Sequence, residues 1–156
     1  MAMIAPTTKT PRFEGLRSSS VDASRIHQKI KRCDTRAEIA LRQALWRLGL
    51  RFRKNLAVLP GKPDVVFARE RVAVFCDGDF WHGRDWAERR RKLAIGSNAT
   101  YWTAKISTNM VRDRRVNRTL RREGWKVVRV WESDIRRDPD KVAASIRKIV
   151  RLRRSF

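Results

Sequence analysis

Cysteine is scarce in this chain, and it has no long apolar run. The two cysteines, Cys33 and Cys76, lie far apart among the 156 residues and match no metal-ligand spacing. A disulfide framework is therefore excluded as the basis of the fold, and a reducing compartment is expected. No stretch approaches the roughly 20 apolar residues that a membrane helix needs, and the N-terminus lacks the apolar run of a signal peptide. We expect a soluble, cytoplasmic protein with no membrane partner.

Acidic residues are also few. Sixteen Asp and Glu stand against 38 Lys and Arg, which gives a formal net charge of +22 spread along the whole chain. Such a charge favours a polyanionic partner, with double-stranded DNA as the first candidate and association with a bacterial nucleoid as its consequence. The alternative is a ribosomal or chromatin-like binder without chemistry, and charge alone does not distinguish the two. No self-complementary apolar surface is visible, so a monomer is expected.

The chain divides into an arm and one domain. Residues 1–20 are polar and lack sustained periodicity, which indicates a flexible N-terminal arm, and residues 21–156 suffice for one domain with one core. Hydrophobic periodicity predicts, in chain order, a helix at Thr35–Leu48, strands at Leu50–Lys54, Asp64–Ala68 and Arg71–Cys76, a basic helix at about Ala99–Arg122, a strand at Trp125–Trp131 and a final helix capped by Asp138. The order α-β-β-β-α-β-α predicts an α/β fold.

Carboxylates stand at the ends of the two strands that should pair as a hairpin. Asp64 opens the first strand, and Asp77-Gly78-Asp79 follows the second. Asp64 and Asp77 then lie at the same end of the sheet, because the first strand starts where the second finishes. Clustered carboxylates repel each other unless a hard cation holds them, and Mg²⁺ takes oxygen ligands while keeping several waters. The pattern indicates a metal site, with turn capping by each Asp as the alternative.

Glu38 has two interpretations. The segment Thr35-Arg36-Ala37-Glu38 fits a capping box, in which the glutamate only returns to the backbone at the start of its own helix. In the second interpretation, the helix brings Glu38 to the sheet edge as a third carboxylate.

The segment Phe80-Trp81-His82-Gly83 places two large aromatic side chains beside a histidine in a polar loop. Aromatic rings in a basic protein suit stacking on bases or insertion between them, although they also serve as satellite core residues. His82 can donate or accept a proton near neutral pH. Asp113 shares the apolar face of the basic helix and needs a partner, which is either an arginine in a structural ion pair or His82, whose tautomer it would fix.

Basic residues crowd the helix predicted at Ala99–Arg122, where Asp113 is the one acid. Such a run is often a solvated face, but phosphate contact is favoured in a chain of this charge. The predicted DNA contacts outside the aromatic pair are Lys62, Arg112, Arg114 and Arg115.

Several segments together resemble one known family. They are DTRAE at 34–38, LPGKPDVVF at 59–67, VAVFCDGDFWHG at 72–83, YWTAKISTNMVRDRR at 101–115 and GWKVVRVWE at 124–132. At these separations they resemble the very short patch repair (Vsr) mismatch endonucleases, over about residues 24–131. The resemblance implies the restriction-endonuclease-like PD-(D/E)XK core, a central mixed sheet flanked by helices, which agrees with the predicted order of elements.

The resemblance also implies roles at the acidic end. It implies that Asp64 binds Mg²⁺ together with the backbone oxygen of Cys76, and that Glu38 supports a metal-bound water. It further implies that His82 assists phosphodiester hydrolysis while Asp113 orients it. Phe80 and Trp81 would form a wedge that enters the duplex beside a T:G mismatch from the major groove.

The sequence departs from the family at its structural zinc site. Where the family places cysteines and a histidine, this chain has Asp79, Arg84, Trp86 and Ser133. These four side chains are not a zinc-binding set, so no structural zinc is expected.

Two further departures concern the metal and the substrate. Asp77 stands where the best-known members have a histidine beside the metal, which predicts a site of three acids with Asp77 as an additional ligand. His27 stands in an N-terminal segment where members often place a methionine that touches the mismatch, so the recognised substrate is left open.

Our hypothesis from the sequence is a Mg²⁺-dependent endodeoxyribonuclease that nicks duplex DNA at a T:G mismatch and leaves a 5′-phosphate. Two alternatives remain, a restriction or phage-defence nuclease of the same fold without mismatch specificity, and a DNA-binding protein without catalysis. Nicking is what the resemblance implies, and the residues alone do not decide whether one strand or both are cut.

Overall fold

The computed structural model describes residues 34–96 and 98–155. The predicted arm at 1–20, together with Cys33 and His27, lies outside the described residues. The chain groups into two compact units. The smaller unit contains residues 80–113, and the larger contains 34–79 together with 114–155. The single-domain interpretation stays a prediction.

The larger unit is built on a four-stranded mixed sheet in the order β1-β2-β3-β4. Its strands are β1 (Arg53–Lys54), β2 (Val65–Phe67), β3 (Val72–Asp77) and β4 (Lys126–Trp131). The pairs β1–β2 and β2–β3 are antiparallel, and β3–β4 is parallel. The predicted hairpin is confirmed, with Val65 opposite Val74 and Phe67 opposite Val72. The α/β fold with a mixed sheet flanked by helices is also confirmed.

The first strand is shorter than the predicted Leu50–Lys54. The amide of Leu50 donates to the carbonyl of Leu45 at the end of the preceding helix, and the Leu50 side chain is buried. Leu50 is therefore used by the helix end, and strand pairing starts at Arg53.

One face of the sheet packs against three helices. They are α1 (Arg36–Arg47), α4 (Glu132–Arg137) and α5 (Pro139–Arg154). Leu41 and Leu45 of α1 and Ile146 of α5 are fully buried here together with Val72 and Val74 of β3. Asp138 caps α5 by accepting the Lys141 amide at 2.9 Å, and Pro139 follows at the first helical position, as predicted.

The other face packs against the C-terminal part of a long helix, which is named α3 (Ala99–Arg122) and has the predicted bounds. Leu120 and Val116 contact Ala73, Phe75 and Val127 on this face. Gly61, at φ +75°, lies so close to α3 that an added Cβ would sit 2.6 Å from Val116 Cγ1. The PGKP loop before Asp64 is therefore pressed against the helix, and glycine is required at this position.

The smaller unit contains the helix α2 (Trp86–Ala94) and the part of α3 up to Asp113. The sequence did not predict α2 or α4. No side chain of α2 is buried, so the helix has no apolar stripe to detect, and α4 buries Ile135 alone. No helix in the described residues is long and apolar enough to cross a membrane.

Candidate active site

Asp64 is fixed at the end of the hairpin by two backbone contacts. Its amide donates to the carbonyl of Val74 at 3.0 Å, and its Oδ2 accepts the amide of Cys76 at 2.7 Å. The register that pairs Val65 with Val74 also brings Asp64 to the end of β3 where Asp77 lies. The predicted placement of both carboxylates at one end of the sheet is therefore confirmed.

The surroundings of Asp64 oppose its ionisation. Its pKa is raised from 3.8 to about 6, above all by burial and also by the negative charges of Glu38 and Asp77, while the Cys76 amide and Arg42 act in the opposite direction. The charges of Glu38 and Asp77 therefore act on Asp64. A nearby cation would stabilise the ionised form of Asp64.

Glu38 caps its own helix and also lies close enough to Asp64 for its charge to act there. Its own amide donates to Thr35 Oγ1 at 3.2 Å, as in the predicted capping box, but its Oε2 accepts the amide of Asp34, the residue before the N-cap, at 2.8 Å. The side chain is nevertheless buried, and its charge acts on Asp64. Arg42 offsets this charge, since its Nη1 lies 3.6 Å from Glu38 Oε2 and has no hydrogen-bond partner in the described part of the chain.

Asp77 is buried and forms an ion pair that the sequence did not reveal. Nη1 of Arg129 donates to both Asp77 oxygens, at 2.7 and 2.9 Å, and Nε of Arg129 donates to Asn117 Oδ1 at 3.0 Å. The guanidinium also lies 4.5 Å from the centroid of the Phe75 ring. In β4, Arg129 stands between Val128 and Val130, which face the opposite core. That alternation was the available sign that Arg129 points toward Asp77 and α3.

The oxygen ligands present fit a hard cation better than a zinc ion. Within residues 34–96 and 98–155, no three His, Cys, Asp or Glu side chains form a ready metal cluster. Mg²⁺ is often bound through one or two carboxylates and completed by water, and Asp64 offers an oxygen beyond the one that accepts the Cys76 amide. Asp77 would have to share its oxygens between a metal and Arg129.

Cys76 does not act as a thiolate. Burial, followed by the charge of Asp64, raises the pKa of its thiol far above the ordinary range. A neutral thiol is a poor nucleophile and a poor metal ligand, so Cys76 can contribute to a metal site through its backbone oxygen.

The smaller unit holds a histidine–carboxylate pair. Nδ1 of His82 and Oδ2 of Asp113 are 2.6 Å apart, whereas Arg112 Nη2 lies 3.9 Å from the other oxygen. His82 is thus the close partner of Asp113. With Nδ1 donating to the carboxylate, the neutral ring has its unprotonated nitrogen at Nε2.

The loop that carries His82 is tied to α3 on both sides. Nδ2 of Asn109 donates to the carbonyl of Trp81 at 3.0 Å. Gly83 has φ +71°, and a Cβ there would lie 2.6 Å from Met110 Sδ. These contacts position the imidazole without relying on its own hydrogen bond.

Phe80 and Trp81 are partly buried and pack into an aromatic cluster. Their ring centroids are 5.1 Å apart, and Trp102 lies 5.4 Å from Phe80 and 5.9 Å from Trp81. Tyr101 adds an edge contact to Trp102 at 5.0 Å. This packing matches the satellite-core interpretation for the protein alone, and insertion into DNA stays a prediction.

The predicted phosphate contacts are exposed side chains in both units. Arg112 belongs to the smaller unit, whereas Lys62, Arg114 and Arg115 belong to the larger one. Their exposure is compatible with phosphate contact, which stays a prediction.

Two of the positions where the family has zinc ligands are joined by hydrogen bonds. The amide of Ser133 donates to Asp79 Oδ2 at 3.0 Å, and Ser133 Oγ donates to Asp79 Oδ1. Asp79 therefore links the segment after β3 to the start of α4 through a carboxylate. The absence of a structural zinc stays a prediction.

Comparison with known proteins supplies the family. The profile of "DNA mismatch endonuclease Vsr" matches residues 19–88. Type II nicking enzyme V.NmeDIP of Neisseria meningitidis serogroup C is 45% identical over 124 residues, which cover 80% of this chain and 82% of that protein. The chain belongs to the Vsr family.

Other relatives agree with this assignment. Type II nicking enzyme V.HpaIIP of Haemophilus parainfluenzae is 44% identical over 74% of this chain and 81% of its own length. DNA mismatch endonuclease Vsr of Escherichia coli K12 is 37% identical over 66% of this chain and 64% of its own length. The Vsr-family chain is therefore an endodeoxyribonuclease, and the alternative of a DNA-binding protein without catalysis is not supported.

Proposed function

We propose that this protein nicks one strand of duplex DNA beside a T:G mismatch, in a Mg²⁺-dependent hydrolysis that leaves a 5′-phosphate. The observation that carries the proposal is the fixed, desolvated Asp64, whose pKa of about 6 reflects burial and two neighbouring acids. The names of the relatives, which include nicking enzymes and a mismatch endonuclease, support the choice of nicking and of a mispaired substrate.

Asp64 and the backbone oxygen of Cys76 would hold the Mg²⁺ ion. When bound, the ion would lower the pKa of a coordinated water and stabilise the charge that develops on the phosphate. Glu38 would keep negative charge next to this position while it caps α1. Asp77 would add charge as well, and Arg129 would hold it in place unless a metal draws it away.

His82 would move a proton during hydrolysis. The hydrogen bond from Nδ1 to Asp113 would fix the ring orientation, so Nε2 would be the nitrogen that exchanges the proton. Asp113 acts through His82 and is a positioning residue.

Phe80 and Trp81 would contact the bases at the mismatch, and Lys62, Arg112, Arg114 and Arg115 would contact phosphates. Insertion would require the aromatic cluster to exchange ring–ring contacts for base stacking, which is of comparable strength.

The proposal is tested with a duplex whose two strands carry different fluorophores. One duplex contains a single T:G mispair in varied sequence contexts, and its twin is fully paired. Each is incubated with the protein in Mg²⁺ or in EDTA. We expect one labelled strand of the mismatched duplex to be cut in the Mg²⁺ sample and not in the EDTA sample. We also expect a ligatable 5′-phosphate at the nick.

The other outcomes assign the alternatives. Equal cutting of both duplexes would favour a restriction or defence nuclease without mismatch specificity. Cutting of both strands at one position would contradict nicking. Undiminished cutting in EDTA would contradict the proposed Mg²⁺ dependence.

A further inference from the structure

The end of the sheet opposite the acids contains a basic cleft. It has a volume of about 390 Å³ and is lined by Arg121, Gly124, Trp125, Lys126, Val127 and Arg153. We call it the distal cleft. The parallel register pairs Val72 with Lys126 and Asp77 with Trp131, so the cleft and the acids lie at opposite ends of the same two strands. Five residues of β-strand separate these ends by about 16 Å.

Arg153 is held in a fixed position at this cleft. Its Nε donates to the carbonyl of Glu70 at 3.2 Å and its Nη2 donates to the carbonyl of Gly124 at 2.8 Å. Both acceptors are neutral, so the positive charge of the guanidinium is oriented without being cancelled. The buried Glu70 carboxylate accepts a hydrogen bond from Arg154 Nε, and the positive charge of Arg154 compensates its negative charge.

Cations outnumber anions around the distal cleft. Arg121 and Lys126 are exposed, and neither forms an ion pair with any residue that the structure describes. The guanidinium of Arg71 lies 5.7 Å from the Trp125 ring. The opposing features are the exposed Glu123 and the carbonyl end of α3. Four cations therefore face one carboxylate and a partial negative charge.

A basic track leads from the acidic end to this cleft. A second cavity of about 510 Å³ runs along α3 and is lined by Arg114, Asn117, Arg118, Arg121 and Arg122. Arg121 lines both cavities. At the other end of the track, Asn117 accepts from Arg129, which binds Asp77. The spacing of Arg114, Arg118 and Arg121 keeps these side chains on one face of the helix.

We propose that the distal cleft binds a phosphodiester group of the DNA substrate, about five base pairs from the nucleotide that meets Asp64. The inference rests on DNA being the substrate and adds a contact that the hydrolysis itself does not use. Arg153 and Lys126 would hold the phosphate oxygens, the Trp125 ring would face the sugar, and the backbone between the two ends would follow the basic track.

The test measures DNA affinity in EDTA as a function of duplex length and salt. Labelled duplexes of about 8 and about 24 base pairs, each with a central mispair, are compared. The shorter one ends about four base pairs from the mispair, so only the longer one reaches the cleft on either side. The variants are Lys126→Ala and Arg121→Ala, with Lys148→Ala, an exposed lysine of α5 away from the cleft, as the matched control. Thermal unfolding midpoints verify that each variant is folded.

For the wild type and Lys148→Ala we expect tighter binding of the longer duplex. For Lys126→Ala and Arg121→Ala we expect the ratio of the two affinities to fall toward one. The negative slope of log affinity against log salt on the longer duplex should become shallower by about 0.9 for each phosphate that the variant no longer neutralises. Equal length ratios in Lys126→Ala and Lys148→Ala would overturn the proposal, even if the wild type nicks the mismatched duplex and not its paired twin, as the proposed function requires.

A second arm separates DNA phosphate from free phosphate. Inorganic phosphate is titrated against the wild type and Lys126→Ala, with thermal unfolding as the readout. Stabilisation of the wild type by phosphate without a length effect on DNA would show a free-anion site and would contradict the proposal. A length effect that depends on Lys126 supports it whether or not free phosphate binds.

Discussion

The two ends of the β3–β4 pair hold opposite charges in different ways. At one end Asp64, Asp77 and Glu38 are buried or nearly so, and backbone amides or a guanidinium bind each of them. At the other end Arg121 and Lys126 are exposed to water. Buried charges that are fixed in place are costly to the fold but act strongly on a reacting group, whereas exposed charges cost little and attract a polyanion additively. Substitutions at the buried acids and their partners should change the nicking rate and the free energy of unfolding. Substitutions at the exposed cations should change DNA affinity and its salt dependence.

The largest expected effect on the nicking rate among these variants concerns the His82–Asp113 pair of the smaller unit. His82→Gln removes the proposed proton-transfer group and should lower the nicking rate by roughly 10²- to 10⁴-fold while DNA affinity changes little. Asp113→Asn should lower the rate less, because the imidazole keeps its place in the loop but loses the carboxylate that orients it. Single-turnover nicking from about pH 5.5 to about pH 9 measures both. A rate loss for His82→Gln that is matched by an equal loss of affinity would contradict the proposed role of His82 in proton transfer.

The buried ion pair at the acidic end should dominate local stability. Arg129→Met leaves Asp77 buried without its guanidinium and should reduce the free energy of unfolding by about 3 kcal/mol. The matched control is Arg136→Met, which removes an exposed partner of Glu132 and should cost less than about 1 kcal/mol. Urea unfolding at neutral pH measures both. Equal losses for the two variants would mean that the Asp77 pair is not the buried contact described above.

Asp64 should destabilise the metal-free fold at neutral pH. Its pKa is about 6 in the folded state against an ordinary value of 3.8, so the folded protein binds more protons than the unfolded chain between these pH values and loses stability as pH rises through that window. Asp64→Asn keeps an oxygen for the Cys76 amide and lacks this loss. The variant should therefore be more stable than the wild type above about pH 6.5, by at most about 3 kcal/mol, with the difference vanishing below about pH 4.

The measurement for Asp64→Asn is urea unfolding at about pH 4 and about pH 8 without divalent metal. Asp140→Asn, which alters an exposed carboxylate on α5, should show no such pH-dependent gain. Added Mg²⁺ should narrow the difference at the higher pH by stabilising the wild type. If Asp64→Asn is less stable than the wild type at the higher pH, the folded state does not disfavour the ionised form of Asp64.

The smallest expected effect is at the Asp79–Ser133 link. Ser133→Ala removes the Oγ donor but leaves the backbone donor to Asp79, so it should cost about 0.5–1 kcal/mol. Ser145→Ala is the control, because its Oγ donates to a carbonyl one turn earlier in α5 and should be neutral. Urea unfolding compares the two. An equal, negligible change in both would show that this link adds nothing measurable.

The parts of the fold that were predictable have local patterns. The hairpin follows from two β-branched runs, α3 from an apolar stripe closed by Gly124, and α5 from Asp138-Pro139. The common position of Asp64 and Asp77 followed from hairpin pairing alone. In contrast, α2 buries no side chain and α4 buries one, so neither leaves a periodicity to detect.

The positions of some candidate site residues were predictable, but their hydrogen-bond network was not. Asp77 and Arg129 are separated by 52 positions in the chain, and nothing near either residue identifies the partner. Asp113 needed a partner by its position, yet the many arginines made His82 one choice of several until the 2.6 Å contact was seen. The distal cleft joins residues of β4, α3 and α5, which no local motif connects.

In the proposed function, Asp64 is required for hydrolysis and not for DNA binding. The most direct measurement records binding and nicking of a labelled mismatch duplex in the same Mg²⁺-containing samples, for Asp64→Asn and for Asp140→Asn. We expect Asp64→Asn to bind DNA at least as tightly as Asp140→Asn while its nicking falls by on the order of 10³-fold or more. Nicking by Asp64→Asn at a rate near that of Asp140→Asn would contradict the proposed role of this carboxylate.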